Sequence, residues 1–180
     1  MDISTLPARE RILVTAHGLF YREGIRATGV DRLIAESGVA KLTFYRHFGS
    51  KEALVRAFLN YRHERWMAWF VDALGRHGAT PSGGLEPLLA ALSEWFREPG
   101  FRGCAFINAV AEVGGSVPDV LAIAQRHKQE MAEVIAWLLP DGPDTQPAAR
   151  AAALAVDGAI VQAQTGRAGP ALVSLKSLLL

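Results

Sequence analysis

The sequence predicts an all-α protein of about nine helices, with three short N-terminal helices ahead of a larger helical body. Three observations predict it. Apolar residues recur three and four positions apart along almost the whole chain, no stretch sustains the alternation of a strand, and clusters of Gly, Pro and Ser divide the chain into helix-length segments. With 180 residues, 50% hydrophobic and 21% charged, the chain has the composition of a globular protein, not of a disordered one.

The elements follow in order. Pro7 lies just inside the first helix start, where its missing N–H costs nothing. Ile12, Ala16, Leu19 and Phe20 form the stripe of that helix, and Gly24 ends it. Val30, Leu33 and Ile34 define a short second helix, broken at Ser37-Gly38. A third short helix carries Phe44 and Phe48 on its inner side and stops at Gly49-Ser50. Ser50 then caps a fourth helix, from Lys51 to about Arg76, with Glu52 favourably placed in its first turn. The stripe of this helix rotates from Leu54, Phe58 and Tyr61 to Trp66, Trp69, Phe70, Ala73 and Leu74. Some 25 residues span roughly 38 Å, more than a small domain needs, so the helix is expected to bridge two domains, 1–52 and 53–180.

The residues from His77 to Gly84 read as a loop, and Leu85, Leu88, Leu89, Leu92 and Phe96 as an amphipathic helix stopped by Glu98-Pro99-Gly100. Phe101 to Val113 is expected to form a short helix ended by Gly114-Gly115. Ser116-Val117-Pro118-Asp119 has the form of a capping box opening a long helix, with Val120, Ala124, His127, Met131, Val134 and Leu138 on one face. After a loop at 140–147, the last two helices run from about Ala148 to Gln164 and from Gly169 to Leu180.

Net charge is only +1. Its distribution is uneven: residues 1–51 hold eight basic and five acidic side chains, a net +3, and the remainder eleven against thirteen, a net −2. A mildly basic head on a mildly acidic body fits nucleic-acid contact at one end. The one cysteine, Cys104, makes an intramolecular disulfide impossible. The opening stretch MDISTLPARERIL has no apolar signal core and no run approaches a membrane span, so a cytoplasmic location is expected. No Gly-rich phosphate loop, metal-spaced His/Cys cluster or nucleophile elbow is present, and no enzyme, cofactor or metal is expected.

The informative stretch is residues 24–54. A short helix, a tight turn at Gly38 and a second short helix make the geometry of a helix-turn-helix, with Val39 plugging the angle between the helices. Val30, Leu33, Ile34, Phe44 and Phe48 bury the inner faces. Lys41, Thr43, Tyr45, Arg46 and His47 remain outside, a basic, hydroxylated and aromatic face suited to phosphates and base edges. Here the chain closely resembles the TetR family of regulators. It supplies Gly24, Thr28 and Val30; then Ile34, Ala35, Gly38 and Val39; then Lys41, Thr43, Tyr45, His47, Phe48, Ser50, Lys51, Glu52 and Leu54, each at the family's offsets. The resemblance covers about residues 8–60. It implies that Lys41 and Thr43 reach base edges or nearby phosphates, that Tyr45 and His47 contact the backbone, and that Lys51 binds a phosphate at a helix N-terminus. It implies the same for Thr28 on the opposite strand. Leu42 stands where the family often has Gly, and Ala40 where Ser is common, which leaves base preference open.

Beyond residue 60 the resemblance lies only in helix number and length, and it implies a ligand-binding and dimerisation domain. Trp66, Trp69, Phe70, Trp95, Phe96, Phe101, Phe106 and Trp137 come from at least four segments and either line an apolar cavity or pack as an ordinary core. Asn108, Glu112, Gln125 and Gln129 are candidate polar contacts to a ligand. Cys104, near a helix N-terminus, is either a pocket-side sensor or a small buried hydrophobe. Val156, Ala159, Ile160 and Ala163, with Leu172, Leu175, Leu178 and Leu179, read as a homodimer interface, since an apolar C-terminal helix is costly on a monomer's surface.

The expected function is a regulator, in the family's usual mode a repressor, that binds a palindromic double-stranded DNA operator as a homodimer. A small apolar or amphipathic effector would release it. A nucleoid-type DNA binder without a ligand, and a small helical enzyme using His127 or Glu112, are the alternatives.

Overall fold

The computed structural model describes residues 3–180. Met1 and Asp2, part of the stretch read for a signal core and the latter counted in the charge, lie outside the described residues. The described residues form nine helices: α1 Ala8–Glu23, α2 Val30–Ser37, α3 Lys41–Phe48, α4 Lys51–Arg76, α5 Glu86–Phe96, α6 Ala105–Val113, α7 Asp119–Leu138, α8 Thr145–Gln164 and α9 Ala168–Leu179. The all-α expectation holds. The main shift is at α6, which starts at Ala105 and not at Phe101, because Gly103 takes φ +77° and breaks the helical path. Ser116 also differs from the expected capping box. Its hydroxyl donates to the Val113 carbonyl at 3.2 Å, so it closes α6.

The chain divides into two compact units, one made of the residues up to Glu64 together with Ala105–Ala124, the other of Arg65–Cys104 with Gln125–Leu180. These units do not coincide with the 52/53 division drawn from the sequence. The stretch 105–124 returns to the N-terminal helices, a return that no local pattern announces.

In the first unit α1 packs on α2 and α3. Ile12, Ala16 and Leu33 are fully buried, as is Phe44, and Leu19, Phe20 and Phe48 nearly so. Phe20 meets Phe58 edge-on at 5.4 Å, an arrangement aromatic pairs favour. Gly38 turns the chain between α2 and α3 in the left-handed region (φ 63°, ψ 35°), which a side chain would strain. Its N–H donates to Ala35 and that of Val39 to Ile34, so the last carbonyls of α2 are satisfied. The Ser50 hydroxyl accepts from Ala53 N–H at 3.2 Å and caps α4.

Arg32 joins Glu23 and Glu36 by side-chain hydrogen bonds, one of them 2.9 Å long to Glu23. The bond from Arg32 holds the Glu23 carboxyl below its ordinary value. The stabilisation is therefore complete above the unfolded value, about 4.3, and is lost as pH falls through the lower folded value. Because these groups are exposed the effect is small. Glu23→Gln should lower the thermal midpoint slightly at pH 7, with the difference from wild type vanishing as the pH drops well below about 4.

In the second unit α8 packs along α9, and α5 also lies on α9. Val156, Ile160 and Leu175 are at most 1% exposed. These three, with Ala159 and Ala163, are buried within the chain itself, and Ala159 and Leu175 also line the floor of a groove between α8 and α9. Helical periodicity marks an apolar face but not what covers it. The large apolar residues exposed on α8 and α9 are Leu154, Val161, Val173 and Leu178, and Leu172 and Leu179 are half-buried.

Candidate nucleic-acid interface

Helix α3 is only eight residues long, too short to persist alone. Its inner side is held by Phe44 and Phe48, one turn apart, with Arg9 stacked 5.2 Å over the Phe48 ring. That anchoring turns Lys41, Leu42, Tyr45, Arg46 and His47 to solvent, while Thr43 is half-buried. Lys41 is loosely paired with Asp31 at 4.0 Å, both side chains being largely exposed, so little holds it back from a phosphate. Leu42 is 71% exposed.

Lys51 opens α4 and is half-buried. Burial pushes its ammonium below the ordinary lysine value, an effect opposed by the carboxylates of Glu52 and Glu112. A partly desolvated cation at a helix N-terminus is a poor contributor to folding and a good one to anion binding.

Thr28 is placed otherwise than the resemblance implies. Its side chain is fully buried and its hydroxyl donates to the Gly24 carbonyl at 2.8 Å. It closes the loop between α1 and α2 and does not extend to solvent.

Two contacts of this region have no signal in the sequence. Arg11 on α1 reaches the Gly38 carbonyl at 3.4 Å and the Ser4 carbonyl at 3.3 Å, steadying the turn between α2 and α3. Glu112 on α6, read from sequence as a ligand contact, accepts from the Arg26 backbone N–H at 2.9 Å. Nothing local in the sequence signals a contact 86 positions away.

The residues expected to line a ligand pocket fall in both units. Trp66, Trp69, Phe70, Trp95, Phe96 and Phe101 come together in the second unit. Trp66 stacks on Phe70 at 4.8 Å and meets Trp95 edge-on at 5.5 Å, and Phe101 meets Trp95 at 5.1 Å. His127, 2% exposed, stands edge-on to Trp66 at 5.0 Å. Phe106 and Asn108 belong to the other unit. Trp137 is 49% exposed, and Gln125 is also exposed. Trp137 lines a groove with Val71, Leu74, Gly75, Ala79 and Val134. Cys104 is buried, with the Lys128 ammonium 3.4 Å from its sulfur and Lys128 in turn paired with Asp157. Among the described residues no group of His, Cys, Asp or Glu is arranged to hold a metal, and no helix is long and apolar enough to cross a membrane.

Residues 12–58 match the family model described as bacterial regulatory proteins, tetR family. The chain is 25% identical over 142 residues to the HTH-type transcriptional regulator UidR of Escherichia coli K12, covering 78% of this chain and 69% of that protein. The Bacillus subtilis regulator YerO is 42% identical over 53 residues, but that stretch spans only 18% of YerO. Among solved structures, SCO4454, a TetR-family transcriptional regulator from Streptomyces coelicolor, superposes with a TM-score of 0.82 at 32% identity, over 96% of this chain and 88% of that one. The reduced form of E. coli NemR shares the fold, with a TM-score of 0.80 at 21% identity, over 96% of this chain and 95% of that one. With a helix-turn-helix whose outer face carries the cations and whose motif continues into a whole-chain match, the protein belongs to the TetR family of DNA-binding, helix-turn-helix transcriptional regulators.

Proposed function

We propose that the protein is a ligand-responsive repressor that binds a palindromic operator as a homodimer. The observation that carries this reading is the sidedness of α3: two buried phenylalanines beneath, and Lys41, Tyr45, Arg46 and His47 outside. In this reading Lys41, with the half-buried Thr43, approaches base edges, Tyr45, Arg46 and His47 meet the backbone, and Lys51 takes a phosphate. Thr28 serves by shaping the loop ahead of α2.

The effector site is assigned to the aromatic cluster. The indole Nε1–H of Trp66 is buried and has no hydrogen-bond partner. Leaving a buried donor unpaired costs about 1–3 kcal/mol, which an acceptor on a ligand would recover. The surrounding rings favour a planar, uncharged aromatic molecule bearing such an acceptor. Trp69 and Phe101, both half-buried, flank the cluster, and the ligand would have to part these rings to enter.

The dimer is assigned to α8 and α9. A groove of about 460 Å³ between them is lined by Gly158, Gln162, Pro170, Ser174 and Leu178, among others. The exposed Leu154, Val161, Val173 and Leu178 on the same helices would be covered by a partner. Dimerisation would set two reading helices at successive major grooves, roughly 34–36 Å apart. The effector acts only through its differing affinity for the DNA-competent and incompetent states.

One experiment tests the set. The protein selects a duplex from a random-sequence library, and sedimentation gives the mass of the free and bound species. 1-Acetonaphthone and 1-ethylnaphthalene, near-isosteres with and without a carbonyl, are then titrated while tryptophan fluorescence and duplex release are followed. Sequence selection by a dimer, and release by the ketone at about tenfold lower concentration than by the hydrocarbon, are expected. Trp66→Phe should abolish that preference. Equal affinity for every duplex would identify a nucleoid-type binder, and binding of neither probe would remove the effector assignment.

A further inference from the structure

We infer that Glu112 is a positioning residue for DNA binding: from α6 it holds the loop that precedes α2, and so sets the pose of the helix-turn-helix. The inference rests on the reading of α3 as the DNA-contacting helix.

The residue lies far outside the matched stretch 12–58, yet three observations converge on it. Its Oε2 accepts from the Arg26 N–H at 2.9 Å. Its two carboxylate oxygens also lie 3.0 and 3.2 Å from where a Cβ on Gly24 would stand, and Gly24 has φ +95°. The glycine here is required by its backbone conformation, and a side chain in its place would also press on the Glu112 carboxylate by a few tenths of an ångström. Third, Glu112 acts on the Lys51 ammonium, helping to keep the charge on a cation that burial disfavours.

The loop so held is short and otherwise self-supporting. Thr28 folds back onto the Gly24 carbonyl at 2.8 Å, so residues 24–28 form one closed turn. Val30 begins α2 two residues later. An anchor at Arg26 therefore limits how the loop pivots, and with it the entry of α2. Arg26 is exposed, so water replaces the carboxylate as acceptor when Glu112 is removed. What the contact supplies is orientation and not folding energy.

The test compares wild type, Glu112→Gln and Glu112→Ala in the full chain, on the duplex that wild type selects from a random library. Fluorescence anisotropy gives the affinity, amide hydrogen exchange reports on Arg26, and thermal melting reports on folding. Gln keeps an acceptor of the same length, so it should bind within about threefold of wild type and leave Arg26 protected. Ala should weaken binding about tenfold, speed exchange at Arg26, and move the melting midpoint by only a few degrees. The inference is overturned if Glu112→Ala binds as wild type does, or if both variants lose affinity equally. It is also overturned if the Ala variant loses binding only because it melts far earlier. Failure of wild type to select any duplex would instead sink the assignment of α3 itself, and this inference with it.

Discussion

Phe44→Ala is expected to destabilise the protein by about 3–5 kcal/mol, the usual cost of truncating a fully buried phenylalanine. The side chain is 0% exposed and sits under α3, with its ring 5.3 Å from Tyr45 and 6.4 Å from Phe48. An eight-residue helix has almost no intrinsic stability, because the cost of nucleation is spread over too few hydrogen bonds. Its shape comes from what lies beneath it. Removing Phe44 therefore opens a cavity and frees the surface that presents Lys41 and Tyr45. Urea titration followed by circular dichroism gives the stability change, and the duplex assay should record loss of binding at temperatures where wild type still binds. A change below about 1 kcal/mol would mean that α3 is held by something other than this ring.

The second large effect separates binding from folding. Lys41→Ala combined with Lys51→Ala should lower DNA affinity by at least roughly 100-fold, since a hydrogen bond between charged partners contributes about 1.5–3 kcal/mol. It should also flatten the salt dependence, by roughly 0.9 in slope for each phosphate no longer neutralised. Folding stability should stay level or rise. Burial already disfavours the charge of Lys51, and the Lys41–Asp31 pair is long and solvated, so neither cation contributes much to the folded state. A drop in affinity with an unchanged salt slope would show that these lysines are not at phosphates. Retaining a cation where it is partly desolvated is a cost to folding, consistent with residues kept for binding.

How much of this was legible in the chain varies with the range of the interaction. The span of α4 from Lys51 to Arg76 and its Ser50 cap follow from local chemistry, and the structure has both. The turn at Gly38 and the two faces of α3 were equally readable, because i, i+4 spacing and a left-handed glycine are local properties. Thr28 was not. Whether a hydroxyl turns outward to an anion or back onto Gly24 depends on the path of the loop, which no periodicity encodes. Trp137 and Val156 illustrate the same limit from opposite sides. Both are apolar residues on amphipathic helices, yet one is half exposed and the other fully covered. Composition says that a face will be hidden; only the packing of α8 on α9 says by what. Glu112 is the extreme case, since its partner lies 86 positions earlier.

The return of residues 105–124 to the N-terminal helices has a practical meaning for anyone building hybrids. A reading head excised at residue 52 or 64 leaves behind the α6 carboxylate that meets Arg26, and whatever else that stretch covers. Grafting such a head onto a foreign sensor would bring the recognition helix but not its brace. A faithful graft must carry two separate pieces of chain, joined through an intervening stretch of about forty residues, 65–104, whose ends have to meet the same spacing. The helix-turn-helix and the stretch 105–124 are thus one cut-and-paste unit in this chain, although forty residues of the other unit are threaded between them.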